Sequence, residues 1–448
     1  MLIRRRAALC SALAMALCAP LAGMPAQAAV VDPVVSALVA QVSAARLQAD
    51  DQRLAGFGTR NLFSEVGQPN GRGVFAARDW LAGRFGDIAK SSDGRMSVRL
   101  ESYLLPRTDR TPRDVTLSSV IATLRGDDPK RGTIVISSHY DSRNSDGNDA
   151  KLDAPGADDD GSGVAALLEA ARILARTHFP ATIVFACFDG EEQGLLGSDL
   201  FAKALKSRGV VVEADLNDDI IGASRGHDGA ASAHDVRLFS EALPVDASAR
   251  TADAAGSEND SPSREIARFV KETAAIYVPA MNVDLVYRSD RLQRGGDQQS
   301  FAAQGFPAVR FVEARENYDH QHQFVRVENG VQYGDLPGFL DFGYLAGVTQ
   351  VNVAALATLA LAPPAPDAGI LVRELGYGST LQWSRVPGAA SYELVWRPTT
   401  ASEWLNAQNV GDVLTATLDV SKDDFIIGVR AIDTSGRIGP AAFPQQFR

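Results

Sequence analysis

Two short apolar runs punctuate the middle of the chain. Thr133-Ile134-Val135-Ile136 leads into Ser137-Ser138-His139-Tyr140-Asp141, and Ala181-Thr182-Ile183-Val184-Phe185-Ala186-Cys187-Phe188 leads into Asp189-Gly190-Glu191-Glu192-Gln193-Gly194. Both runs are β-branched and uninterrupted, the pattern of strands buried on both faces of a parallel sheet. Between them Val164, Leu167, Leu168, Ala171 and Leu174 recur at helical spacing after Gly161-Ser162-Gly163, with Ser162 the expected N-cap. The same reading predicts helices over 34–54, 78–85, 198–207, 263–277 and 339–361. It predicts further strands over 97–105, 115–124, 210–221 and 307–312. Residues 223–262 are rich in Ala, Ser and Asp and read as loop plus a short helix near the site entrance. Strand and helix alternate, which predicts an α/β fold: a mostly parallel mixed sheet sandwiched by helices.

The pattern changes at both ends. Arg4-Arg5-Arg6, an apolar stretch over 7–21 and Ala26-Gln27-Ala28 make residues 1–28 a secretory leader, so the protein is expected to be exported, to periplasm or medium. Residues 29–361 then form the main unit, and the proline-rich 362–367 a stiff linker. Beyond it 381–383, 391–397 and 425–432 alternate with period two between turns. Residues 368–448 therefore read as a small all-β sandwich, similar to a fibronectin type III domain, that would bind a protein or polysaccharide. This segment has no histidine or cysteine to carry chemistry.

Composition narrows the class. With 45% hydrophobic and 22% charged residues the chain is globular rather than disordered. The formal charge is −11, and loss of the three leader arginines makes it −14. No basic patch with aromatic residues suggests nucleic acid. Apart from the leader, no stretch is apolar enough to predict a membrane span. Of three cysteines two lie in the leader, so only Cys187, in an apolar run, would remain, and no intramolecular disulfide is expected.

The apolar runs end in metal-ligating residue types. In open α/β sheets, ligands bind beyond the carboxyl ends of the strands. His139 arrives at one such end and Glu191-Glu192 at another, while Asp158-Asp159-Asp160 sits in a tight turn between glycines. Asp141, two residues after His139, is suited to accept the second ring N–H and fix the tautomer. Of the six histidines, His178, His227 and His234 read as solvated residues, leaving His139, His320 and His322 as candidate ligands.

The motifs HYDS (139–142), GADDDGSG (156–163), DGEEQGLLGS (189–198) and NDDIIG (217–222), in this order, resemble the di-zinc aminopeptidases of metallopeptidase family twenty-eight. That family includes secreted leucyl aminopeptidases and glutamate carboxypeptidases. The resemblance spans 115–361 and implies the zinc exopeptidase fold and two Zn²⁺ per chain. It implies His139, Asp159 (bridging), Glu192, Asp219 and His322 as ligands, with His322 preferred to His320. Glu191 would be the general base on a metal-bridged water, with Asp141 orienting His139. Many members carry Tyr before the last His to hold the oxyanion. Here Gln321 takes that place, and Tyr318 is the expected substitute. The implied activity is hydrolysis of N-terminal residues from peptides. The alternatives are a carboxypeptidase, for which Arg288, Arg291 and Arg294 are candidate carboxylate binders, a one-zinc glutaminyl cyclase-like acyltransferase, and a binding protein without catalysis.

Overall fold

The computed structural model describes residues 31–241, 260–372 and 376–447; the leader reading lies outside them. Eight strands form the main sheet: β1 (Met96–Leu105), β2 (Val115–Leu124), β3 (Thr133–His139), β4 (Thr182–Phe188), β5 (Val212–Asp218), β6 (Asp235–Phe239), β7 (Asn282–Val286) and β8 (Ala308–Glu313). Their order is β1-β2-β4-β3-β5-β8-β6-β7. The four central strands β4, β3, β5 and β8 run parallel. β2 runs against both β1 and β4, β6 runs against β8, and β7 runs parallel to β6.

Strand periodicity decides what each face buries. Ile134 and Ile136 enter one core and Val135 the other. On the first face lie α1 (Pro33–Val39), α2 (Ala44–Ala55), α3 (Val74–Ala89), α4 (Gly163–Leu174), α6 (Pro262–Tyr277) and α8 (Phe342–Leu361). On the second lie α5 (Leu196–Ser207) and α7 (Gln298–Ala303), where Phe188, Phe201 and Phe301 cluster, Phe201 edge to face with Phe301 and Phe188 tilted against both. α8 is apolar all round because α1, α2, α4 and α6 surround it. Its start is fixed by the Asp341 side chain, which accepts from the Gly343 and Tyr344 N–H groups.

Several sequence expectations change. The helix expected over 34–54 is two, broken at 40–43, because long-range partners claim the intervening backbone. The Ser43 N–H donates to Glu169 Oε1 (3.0 Å), and Arg172 donates to the Gln41 carbonyl (2.9 Å). Ser162 does not cap α4: it is itself helical and its hydroxyl donates to the Asp158 carbonyl, while Asp160 Oδ1 accepts the Gly163 N–H. Within 223–262 the described residues contain β6 and no helix before α6, which opens at Pro262; residues 242–259 of that stretch lie outside the described residues.

An antiparallel hairpin of β9 (Arg326–Glu328) and β10 (Val331–Tyr333) follows β8, and the C-terminal segment forms two small sheets. One orders β15 (Thr415–Leu418), β12 (Ser379–Trp383), β11 (Ala368–Leu371) and β17 (Gln445–Phe447). The other orders β14 (Asn406–Gly411), β13 (Ala389–Pro398) and β16 (Phe425–Asp433). All pairs are antiparallel except β11 with β17. Leu381 and Trp383 of the first sheet share a core with Tyr392, Leu394, Ile427 and Val429 of the second.

These sheets are fastened to α6. Asp260 accepts from Arg268 (2.9 Å) and from Arg397 of β13 (2.8 Å), all three side chains being buried. Trp404 Nε1 donates to Glu265 of α6, and Arg430 pairs with Glu272. Residues 364–368 and 440–443 line a shared cleft with 129–133 and 209–213, which precede or open β3 and β5. The C-terminal sheets thus sit at the amino ends of the central strands.

Candidate metal centre

The carboxyl ends of the central strands converge, as expected. β3 ends at His139, β4 runs into Glu191-Glu192, and β5 ends at Asp218 just before Asp219. The acidic turn 157–162 lies at the start of α4, and His322 comes from the loop after β8, in left-handed backbone. His139 Nε2 lies 3.2 Å from Asp159 Oδ1 and 3.8 Å from Asp219 Oδ1. His322 Nε2 lies 3.0 Å from both Asp159 Oδ2 and Glu192 Oε2. Asp159 thus turns one oxygen to each imidazole. Donor atoms fall into two groups, His139 with Glu191 and Asp219, and Asp159 with Glu192 and His322, each within 4.8 Å.

The donor set fits a cation. His139 Nε2, Glu192 Oε1 and Asp219 Oδ1 are buried and have no hydrogen-bond partner, a costly arrangement unless an ion completes it. Nitrogen and oxygen donors without thiolate suit zinc in an open, catalytic arrangement. Burial would keep the His322 imidazole uncharged. Glu192 and Asp159 outweigh it and hold its pKa up at about 10. Burial likewise opposes charge on His139, and Glu191, Asp141, Asp159 and Asp219 overcome it. The field that would protonate both rings would hold cations equally well.

Supporting contacts fix the geometry. His139 Nδ1 lies 3.2 Å from the Asp141 main-chain oxygen, so the proton belongs there and Nε2 keeps its lone pair. This corrects the expected acceptor: the Asp141 carboxylate is 3.5 Å away and instead accepts the Glu191 and Glu192 N–H groups, both at 3.2 Å. Asp141 therefore links two strand ends. Asp160 Oδ2 accepts the His139 N–H, and Asp335 accepts those of Asp158 and Asp159. Arg310 of β8 donates to Asp219 (2.8 Å) and Asp290 (2.7 Å). Burial pushes the Glu191 carboxyl well above its ordinary pKa, His139 opposes this, and Asp219, Asp297 and Glu192 reinforce it.

The five expected ligands, Glu191 and Asp141 meet here. His320 does not; its ring stacks on Phe339 at 3.6 Å. Tyr318 is not brought to the site either: it is 58% exposed, with its ring 6.3 Å from that of His227, because the turn after β8 carries it outward. Sequence reading missed Arg310, Asp335 and Asp160. A charged residue inside the apolar 307–312 run was the available signal for Arg310; Asp335, far along the chain, gave none.

Residues 119–324 match Peptidase family M28. A probable zinc metalloprotease of Leptosphaeria maculans is 44% identical over 92% of this chain and 96% of its own length. Among solved structures, the LapA aminopeptidase of Legionella pneumophila superposes with a TM-score of 0.51 at 19% identity, over 72% of this chain and 74% of that one. The glutaminyl cyclase of Porphyromonas gingivalis gives 0.50 at 20%, over 70% and 98%. At such identity these two speak for the fold alone, that of the zinc exopeptidases. With 44% identity to a zinc metalloprotease along nearly its whole length, the chain belongs to peptidase family M28 and is a zinc metallopeptidase.

Proposed function

We propose that the protein is an exported exopeptidase with two zinc ions per chain, an aminopeptidase that removes N-terminal residues from peptides with Glu191 as general base. The observation that carries the reading is Asp159, with one oxygen 3.2 Å from His139 Nε2 and the other 3.0 Å from His322 Nε2. His139 and Asp219 would hold one ion, Glu192 and His322 the other, and Asp159 would serve both. When bound, the pair supplies Lewis acidity toward the scissile carbonyl and a nucleophile at neutral pH.

The chain's own residues do the rest. Glu191 lines the cavity at the site, and its main chain is held by Asp141. Its carboxylate would take a proton from the attacking water and return it to the leaving amine. Asp141 orients His139 through its main-chain oxygen and aligns both glutamates through its carboxylate. Arg310 keeps Asp219 ionised, since its guanidinium lowers that carboxyl's pKa against the burial that would raise it. Export is supported by the leader-like residues 1–28, and the buried Cys187 is the only free thiol among the described residues.

The test uses purified protein and matched peptides blocked at either end. Hydrolysis should vanish with a chelator and return with Zn²⁺ as occupancy reaches two per chain. C-blocked peptides should be cut and N-blocked ones spared. Unchanged turnover after verified metal removal would overturn the zinc mechanism, and cleavage of only N-blocked peptides would make the enzyme a carboxypeptidase.

A further inference from the structure

The cavity beside the carboxylates and imidazoles encloses about 480 Å³, and five arginines line it. Two are engaged. Arg310 is held by Asp219 and Asp290, and Arg291 by Glu316 and Asp290. This removes Arg291 from the carboxylate binders expected from sequence, and Arg288 does not line the cavity.

Arg110, Arg143 and Arg294 are different. Among the described residues the Arg294 guanidinium hydrogen-bonds only the neutral side chain of Gln321, at 3.2 Å, with Glu316 feeling its charge from further off. Arg143 donates to the Asn144 carbonyl, and its nearest carboxylate, Glu192, is 4.0 Å away. The Arg110 guanidinium has no hydrogen bond or ion pair among the described residues. It lies over Gly194, where an added Cβ would come within 2.1 Å of Nη1, and Gly194 adopts φ +109°. That backbone conformation favours glycine, and the missing side chain leaves the guanidinium its place.

Charge decides what these three groups serve. The four carboxylates that line the cavity, Asp159, Glu191, Glu192 and Asp219, would be matched by two divalent ions, as in the function proposed above. The three arginines, none of which donates a hydrogen bond to a carboxylate among the described residues, would then leave positive charge in a cleft, where a field is focused. A planar guanidinium recognises a carboxylate through charge-assisted hydrogen bonds, and it repels an ammonium.

We infer that this cavity selects peptides carrying a carboxylate beside the scissile bond, held by Arg110, Arg143 and Arg294. The inference rests on the peptidase reading and adds the substrate class. The carboxylate has two possible sources, an acidic side chain or the peptide's own C-terminus.

Two substrate pairs separate the sources, assayed on the zinc-loaded full chain. The first compares C-amidated peptides with N-terminal Glu and Gln. The second compares N-acetylated peptides with a free and an amidated C-terminus. In one pair the carboxylate member should exceed its amide in kcat/KM by roughly tenfold to a hundredfold, the worth of a hydrogen bond to a charged group. Arg143→Gln and Arg294→Gln, checked for metal content, should each shrink that ratio at least threefold, and the double variant should bring it near unity. Equal kcat/KM within both pairs, or a ratio untouched by the double variant, overturns the inference. Calorimetry with N-acetylglutamate against N-acetylglutamine amide on the zinc-loaded protein tests binding alone. If no peptide is cut, the peptidase reading fails, while stronger binding of the anion upholds the arginine subsite and equal binding overturns it.

Discussion

Glu191 and Glu192 are neighbours in sequence with different surroundings. Glu192 Oε2 contacts His322 at 3.0 Å, and its Oε1 is buried without a partner, as a ligand oxygen would be. Glu191 lines the cavity with no ion pair among the described residues. Glu191→Ala should therefore lower kcat by at least the roughly 10²–10⁴ typical of a lost general base while both zinc ions stay bound. Glu192→Ala should lower metal occupancy. Metal analysis and turnover on both variants check this, and reversed phenotypes would exchange the two roles. Asp290 offers a pH prediction at the same scale. Burial alone would raise its pKa, but Arg310 and Arg291 outweigh burial and hold it down from 3.8 to about 2. A carboxyl depressed on folding stabilises above its unfolded pKa and loses that contribution as pH falls. The wild type should lose on the order of 2 kcal/mol between about pH 4 and pH 2 through this group. The slope in that window should be shallower for Asp290→Asn, measured by denaturant titration.

Secondary-structure elements were legible where chemistry and periodicity coincide. The runs at 133–136 and 181–188 became β3 and β4 because their residues are apolar on both faces, and the ligands stand just past their ends. β6 and β7 were not read because each is five residues long and polar at alternate positions, such as Arg237 and Asp284. The break between α1 and α2 was hidden because its cause, Glu169, lies over a hundred residues away. Likewise Arg110, Arg143 and Arg294 are scattered in sequence, and only the fold gathers them. The α8 cap, Asp341, is local and testable. It accepts two N–H groups of the first turn and the Ser224 hydroxyl. Asp341→Ala should cost about 1 kcal/mol of stability and leave zinc content unchanged, since no ligand is on α8. A loss of zinc without a loss of stability would contradict that assignment.

At the scale of the whole molecule, chemistry and the C-terminal sheets occupy opposite ends of the central strands. The ligands stand at the carboxyl ends of β3, β4 and β5. The sheets of 368–447 meet the amino ends of β3 and β5 and grip α6 through buried ions. We propose that they act on stability rather than on catalysis. The interface is not a loose tether, as the proline-rich 362–367 alone would suggest. Arg397 Nη2 is 2.8 Å from Asp260 Oδ2, both side chains are buried, and the other oxygen of Asp260 serves Arg268. Removing one partner of a buried pair leaves an uncompensated charge and costs about 3–5 kcal/mol. Arg397→Leu should therefore lower Tm clearly, while kcat/KM per bound zinc stays within threefold of the wild type. Deletion of 368–448 should lower Tm further, because it also uncovers the α6 face that Trp404 covers. Calorimetry and zinc-normalised kinetics on both variants measure the two effects separately. A folded, zinc-loaded Arg397→Leu enzyme with kcat/KM reduced tenfold or more would show that the C-terminal sheets shape the active site from across the main sheet.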